Sequence, residues 1–320
     1  MKKLFVLAMV VLSIVVLSTA LAQEKVTMIL NWFPETGHAG FYAAVQDGIY
    51  AAKGIEVEIQ SGGPDVIGST LLATGKVQFA MLGATEVLLA REQGIPLVAV
   101  YGTFQNNPQG FMYHAANPIT SFEDLEGRTV SISPGAAYWD FIQKKYNLEG
   151  KVQVVNYSGG LADWARDPMA ITQNYVTAEP YSADKEGLAN GSLLIADSGF
   201  NPYADIMVTT ESFLAEHPDV VKAFVEGSQE GYEAFFADPS KYVAPLQAAN
   251  SENTEDVILW GANAIKALID TGDATTMGLG AMTQERWQAV YEQLKELGIL
   301  KADTELDITQ AFNASFVPAP

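Results

Sequence analysis

The chain has 320 residues, with 38 acidic and 18 basic side chains for a formal charge of −20, and it contains no cysteine. So acidic a surface is a poor partner for nucleic acid or an anionic membrane. The missing thiols exclude disulfides, thiolate metal sites and cysteine nucleophiles, while a chain of this length can bury a core without crosslinks and ordinarily forms two domains.

Met1-Lys2-Lys3, an apolar run to Leu17 and the small-residue stretch ending Ala20-Leu21-Ala22 read as a secretory leader cleaved after Ala22. The apolar core is too short for a spanning anchor, and no later segment approaches the roughly twenty apolar residues that a span requires. No cysteine is present to carry a lipid, so the expectation is a protein exported to the periplasm and free in it. The chain has four arginines, Arg91, Arg128, Arg166 and Arg286. Anion sites often use arginine forks, so their scarcity points toward a neutral or cationic ligand.

Residues 26–30 (VTMIL) predict a strand, and 39–52 a helix ending at Lys53-Gly54. IEVEIQ at 55–60 alternates apolar and polar residues, so it predicts a second strand. A turn at 61–64 leads to a helix over 66–74 closed by Gly75, a strand over 77–82, a helix over 85–93 and a strand over 97–104. After Asn106-Asn107-Pro108 the alternation restarts, with strands at 110–114, 129–133, 152–156 and 174–178 and helices at 137–146 and 168–173. Short apolar segments follow at 193–196 and 206–209; beyond Glu211 the chain reads as helical, over 211–216, 218–237, 240–250, 255–270 and 283–297. Strand–helix–strand units with short connections predict parallel sheets covered on both faces. The expected class is α/β: two doubly wound sheets with an interdomain cleft and C-terminal helices. The first lobe takes 23–106 and 206–320, the second 107–205, with crossings near 104–110 and 202–206.

Ligands of open α/β sheets sit beyond the carboxyl ends of strands, and the cleft between two such lobes is a favoured place for a small molecule. Candidates follow by position. Asn31 and Trp32 follow the first strand, and His38 precedes the next helix. Trp32 offers a face for a planar ring, and a neutral His38 offers one donor and one acceptor. The small turn Gly83-Ala84-Thr85 lets backbone approach a ligand, and Gly135-Ala136 with Tyr138 repeats the device in the second lobe. One of Tyr138 and Trp139 is expected to enter the core. Tyr175 lies on a strand ended by Glu179-Pro180-Tyr181. Pro180 favours extended backbone at Glu179, whose carboxylate would accept from an amine or pair with a cation. No serine–histidine–aspartate pattern, HExxH motif or phosphate loop is visible, and the remaining histidines are His114 and His217.

LNWFPETGHAGFYAA with GIYAAKGIEVEI, then GKVQFAMLGATEVLLAREQGIPLVAV, then QNYVTAEPY, resemble the solute-binding proteins of ABC importers. The branch is the one that binds the thiamine pyrimidine precursor and its riboflavin, nitrate/taurine and alkanesulfonate relatives. The resemblance implies a two-lobed periplasmic-binding-protein fold of type II that closes on its ligand and docks on an ABC permease in the membrane. It also implies cleft positions for Trp32, His38, Tyr175 and Glu179. The thiamine-pyrimidine synthases of that superfamily carry a cysteine-rich motif, absent here, so the expected role is a monomeric binder with no cofactor, metal or catalytic residue. Around DWARDPMAITQNYVTAEPY the chain departs from the plain pyrimidine binders. An aminopyrimidine is the first expectation for the ligand, a flavin-like heterocycle the second and a small sulfonate, taurine or nitrate the third.

Overall fold

The computed structural model describes residues 23–320, so the leader expected over residues 1–22 lies outside the described residues. The first half of the chain alternates strand and helix: β1 (Glu24–Ile29), α1 (Ala39–Gln46), α2 (Ile49–Ala52), β2 (Ile55–Gln60), α3 (Gly68–Ala73), β3 (Phe79–Leu82), α4 (Ala84–Glu92) and β4 (Leu97–Phe104). The predicted helix over 39–52 is broken in two because Gly48 turns left-handed, φ 68°, a conformation open to a residue without Cβ. The chain then enters a second sheet through β5 (Gln109–His114), β6 (Thr129–Ile132), α5 (Ala137–Lys145), β7 (Gln153–Asn156), α6 (Ala162–Arg166), β8 (Ile171–Tyr175), α7 (Glu179–Lys185) and β9 (Asn190–Leu194). It returns through β10 (Ala204–Thr210) and continues in helices α8 (Glu211–Glu216), α9 (Pro218–Ala237), α10 (Val243–Ala249), α11 (Glu255–Ile269), α12 (Ala274–Met277) and α13 (Gln284–Glu296).

Two five-stranded sheets result, ordered β2-β1-β3-β10-β4 and β7-β6-β8-β5-β9. Each is mixed where the sequence predicted parallel strands. β10 runs antiparallel to β3 and β4, and β5 antiparallel to β8 and β9, because these are strands that enter or leave a sheet at the crossings. Residues 168–173, predicted helical, instead turn at Asp167–Ala170 and open β8. Ile171 and Thr172 are buried against β5 and β6, so strand pairing overrides the helix start that Pro168 suggested.

The alternation of β2 (burial at Ile55 and Val57) places its apolar face under the C-terminal helices. α1 and α9 pack closely because Gly40 and Gly231 let the backbones meet; a Cβ on Gly231 would lie 2.2 Å from the Gly40 carbonyl oxygen. The two crossings lie side by side and are bonded to each other. The Asn107 backbone N–H donates to Asn201 Oδ1 (2.9 Å), Asn107 Nδ2 to Pro202 O (3.1 Å) and Asn201 Nδ2 to Asn106 Oδ1 (3.0 Å). Arg286 stacks on Tyr203 and donates to Asn201 O (2.7 Å) and Gln105 O, joining both crossings to α13. Among the described residues no helix is long and apolar enough to cross a membrane.

Candidate functional site: an acidic cleft between two sheets

The segment after β1 holds two large aromatics in solvent, Trp32 at 47% and Phe33 at 49% exposure, packed edge to face with ring centroids 5.6 Å apart. Both line a cavity of about 450 Å³ whose other walls include Glu35, Asn253, Trp260 and, from the second sheet's side, Tyr181. Tyr181 and Trp260 lie 5.1 Å apart, so aromatic faces from both sides of the crossing bound one space. At its mouth Tyr181 Oη and Lys185 both engage Asp256, tying α7 to α11.

Behind Trp32 the chain turns inward. His38 is fully buried at the start of α1. Its Nδ1 accepts the Glu35 backbone N–H (3.2 Å), so Nε2 carries the ring proton and donates to Asn31 Oδ1 (3.2 Å). Asn31 Nδ2 in turn donates to Asp205 Oδ1 (2.7 Å). Burial holds the imidazole neutral and pushes its pKa down to about 3. Burial raises Asp205 to about 6, with the Glu86 carboxylate adding to the rise. Glu35 rises further, to about 8, from burial and then from the facing carboxylates of Asp205 and Glu179. Glu86 is open to solvent at the start of α4, yet the protein around it also pushes its carboxyl up against the Gly83 N–H bond (2.7 Å) that holds it.

The opposite wall comes from β8 and α7. Glu179 Oε2 accepts the Tyr175 backbone N–H (2.7 Å) and its Oε1 accepts the Tyr157 hydroxyl (3.3 Å). Burial raises its pKa although these donors pull it down. The Tyr175 phenol is raised well above 10, first by burial and then by Asp205, Glu35, Glu86 and Glu179. Four carboxyls from both sheets thus face one phenol. Among the described residues no arginine or lysine lines the cavity. Arg91 pairs with Glu211, Arg166 with Asp163, Arg128 bonds Met169 O and Asn117 O, and Arg286 serves the crossings. The carboxyl cluster can receive amines, amidines or ring N–H groups.

The family model described as NMT1/THI5 like matches residues 35–242. The chain belongs to the NMT1/THI5-like family. It is 29% identical to the riboflavin-binding protein RibY of Chloroflexus aurantiacus, over 92% of this chain and 86% of that protein. It is 24% identical to the formylaminopyrimidine-binding protein of Halalkalibacterium halodurans, over 85% of each. A 4-amino-5-hydroxymethyl-2-methylpyrimidine phosphate synthase of Schizosaccharomyces pombe is 23% identical over 68% of each. Among solved structures, the periplasmic aliphatic sulphonate binding protein SsuA of Escherichia coli superposes with TM-score 0.67 at 12% identity, over 90% of this chain and 97% of that one. The fold of this NMT1/THI5-like chain is that of the periplasmic binding proteins.

Within this family member, Asn31, His38, Tyr175 and Glu179 gather around the carboxyl cluster, with His38 behind Asn31 rather than at the surface of the cleft. Trp32 stands apart on the cavity side, joined to the cluster through Glu35. Glu179 was expected on extended backbone before Pro180; instead it opens α7, with Pro180 in the first turn, where a missing N–H costs nothing. Trp139 is the ring that enters the core, leaving Tyr138 half-buried with its hydroxyl donating to Gln173 Oε1 (2.8 Å). Of the small turn, Ala84 is buried and its N–H donates to Tyr203 O (3.0 Å), so that donor is used within the fold; Gly83 N–H goes to Glu86, and Thr85 is half-buried. Gly135 is exposed with φ 75°, and Ala136 is half-buried at the cap of α5. Glu35, Glu86, Tyr157, Gln173, Tyr181, Asp205 and Trp260 were not singled out from sequence. Glu35 sits three residues before His38 in the turn after β1, and Asp205 is a lone charge in an otherwise apolar run.

Proposed function

We propose that this protein is the solute-binding component of an ABC importer, exported to the periplasm, where it clamps a flat nitrogen heterocycle and delivers it to a membrane permease. One lobe would be 23–106 with 206–320 and the other 107–205, rotating about the bonded crossings. A ligand that touches both lobes binds the closed form better and so shifts the population toward it. The observation that carries this reading is one cavity bounded by Trp32, Phe33 and Trp260 on one side and Tyr181 on the other, with the Glu35 carboxyl in its wall. Relatives named as binding proteins match 85% or more of the chain, against 68% for the synthase, which supports a binder over an enzyme.

Within that class an aminopyrimidine suits the polar groups: its ring can lie on Trp32 while its amino edge meets Glu179. A fused, flavin-like ring system is the second reading. It is favoured by the volume of about 450 Å³, well within the range that holds larger ligands, and by the name of the C. aurantiacus relative. Titration of mature protein with 4-amino-5-hydroxymethyl-2-methylpyrimidine and with riboflavin, followed by tryptophan fluorescence, tests both. One of them quenches or shifts the emission, and Trp32→Ala weakens that ligand by about 1–3 kcal/mol, the worth of a lost stacking face and its burial. Unchanged affinity in the variant removes the stacking role, and preference for taurine or nitrate removes the heterocycle.

A further inference from the structure

One acceptor of the carboxyl cluster behind the cavity has no partner. Asp205 is 2% exposed, Asn31 occupies its Oδ1, and its Oδ2 is buried without a hydrogen bond. A carboxyl oxygen of Asp205, one of Glu35 and a ring nitrogen of His38 all lie within 4.8 Å of one another. His38 supplies no charge, since both its nitrogens are engaged in the neutral form. Asp205 is the second residue of β10, left-handed at φ 49°, a conformation that costs a side-chain-bearing residue energy. Among the described residues the charged and titratable groups set against the pair are Glu86, Glu179, Tyr175, Tyr232 and His38, none of them a cation.

Two desolvated carboxyls this close cannot both stay ionised without a counter-charge, and they titrate as a unit. We propose that Glu35 and Asp205 share a proton at the inner end of the cleft and exchange it for the cationic nitrogen edge of the ligand, an amidinium or a ring-protonated amine. The inference rests on the cleft being the ligand site. In the exchange the proton leaves for solvent, the nitrogen's N–H groups donate to the two carboxylates, and no covalent bond of the ligand changes. The buried Oδ2 then has the donor it lacks.

Benzamidinium is a suitable probe, because it is flat and stays charged across neutral pH, and benzamide is its neutral counterpart. Infrared difference spectra and calorimetry in two buffers read the proton directly. Ligand-free protein near neutral pH should show a protonated-carboxyl band that benzamidinium removes with release of about one proton per site, while benzamide does neither. Glu35→Gln should lack the band and bind benzamidinium at least about tenfold more weakly, the loss of a charge-assisted contact. Asp205→Asn is the companion variant, and Glu35→Gln alone decides the matter if it does not fold. Absence of the band, its survival in Glu35→Gln, or binding of benzamidinium without proton release overturns the pair. Zinc displacing the proton where benzamidinium fails also overturns it, in favour of a metal. Riboflavin or aminopyrimidine binding while benzamidinium is excluded sinks only this inference; failure of both heterocycles sinks the ligand reading itself.

Discussion

Glu179→Gln is expected to weaken the cognate heterocycle by roughly 1.5–3 kcal/mol, about ten- to a hundredfold, the range for hydrogen bonds to a charged group. The substitution preserves shape and an acceptor for the Tyr175 N–H, so the fold at the start of α7 should hold. What it removes is the charge that an amine or ring N–H meets. It also places a donor where Tyr157 now donates (3.3 Å), which disturbs the second support of the side chain. Isothermal titration of both proteins, with a thermal melt as control for folding, reads the effect. An equal melt with a tenfold loss fits a ligand-facing carboxylate; an equal melt with unchanged affinity makes Glu179 a brace for β8 and nothing more.

The second large effect is on stability against pH, and it has two limbs. His38 is lowered from 6.5 to about 3, so the unfolded chain takes up a proton that the folded chain refuses. Its contribution is full above pH 6.5 and is lost as pH falls toward 3. Glu35 is raised from 4.5 to about 8 and works in the other direction, with stability present below 4.5 and lost as pH rises to about 8. Asp205 adds to the same limb between 3.8 and about 6. From 3.8 to 6.5 the limbs oppose each other; above 6.5 the Glu35 limb stands alone. Ligand-free protein should therefore lose about 1–2 kcal/mol between pH 6.5 and 8, and Glu35→Gln should flatten that loss. Denaturant titrations at a series of pH values check it. A wild-type profile as flat as the variant's above pH 6.5 would mean that Glu35 is not held protonated.

Elements with a strong local signature were legible. IEVEIQ alternates strictly and forms β2 over the residues expected, and Pro218 opens the long helix α9 at its first position, where proline is tolerated. Where tertiary pairing decides, local reading failed. The ITQNY segment became β8 because β5 and β6 flank it, and the partners of β10 run antiparallel for reasons that lie in the crossings. The site divides the same way. Trp32 was legible because it follows the carboxyl end of the first strand and offers a ring face, and Glu179 because a carboxyl sat beside an expected strand end. Asp205 gave no such signal: its partner Asn31 is 174 residues away, and its burial is visible only once the return crossing is folded. His38 was legible as a neutral group, yet its place behind Asn31 depends on Glu35 closing the turn.

Native mass spectrometry of the mature protein incubated with the heterocycle that alters its fluorescence tests most directly whether the cleft captures a molecule and leaves it unchanged. One ligand per chain, recovered on denaturation at its starting mass and retained far less by Trp32→Ala, is the predicted result. A ligand recovered with altered mass, an adduct that survives denaturation, or equal retention by Trp32→Ala would contradict it.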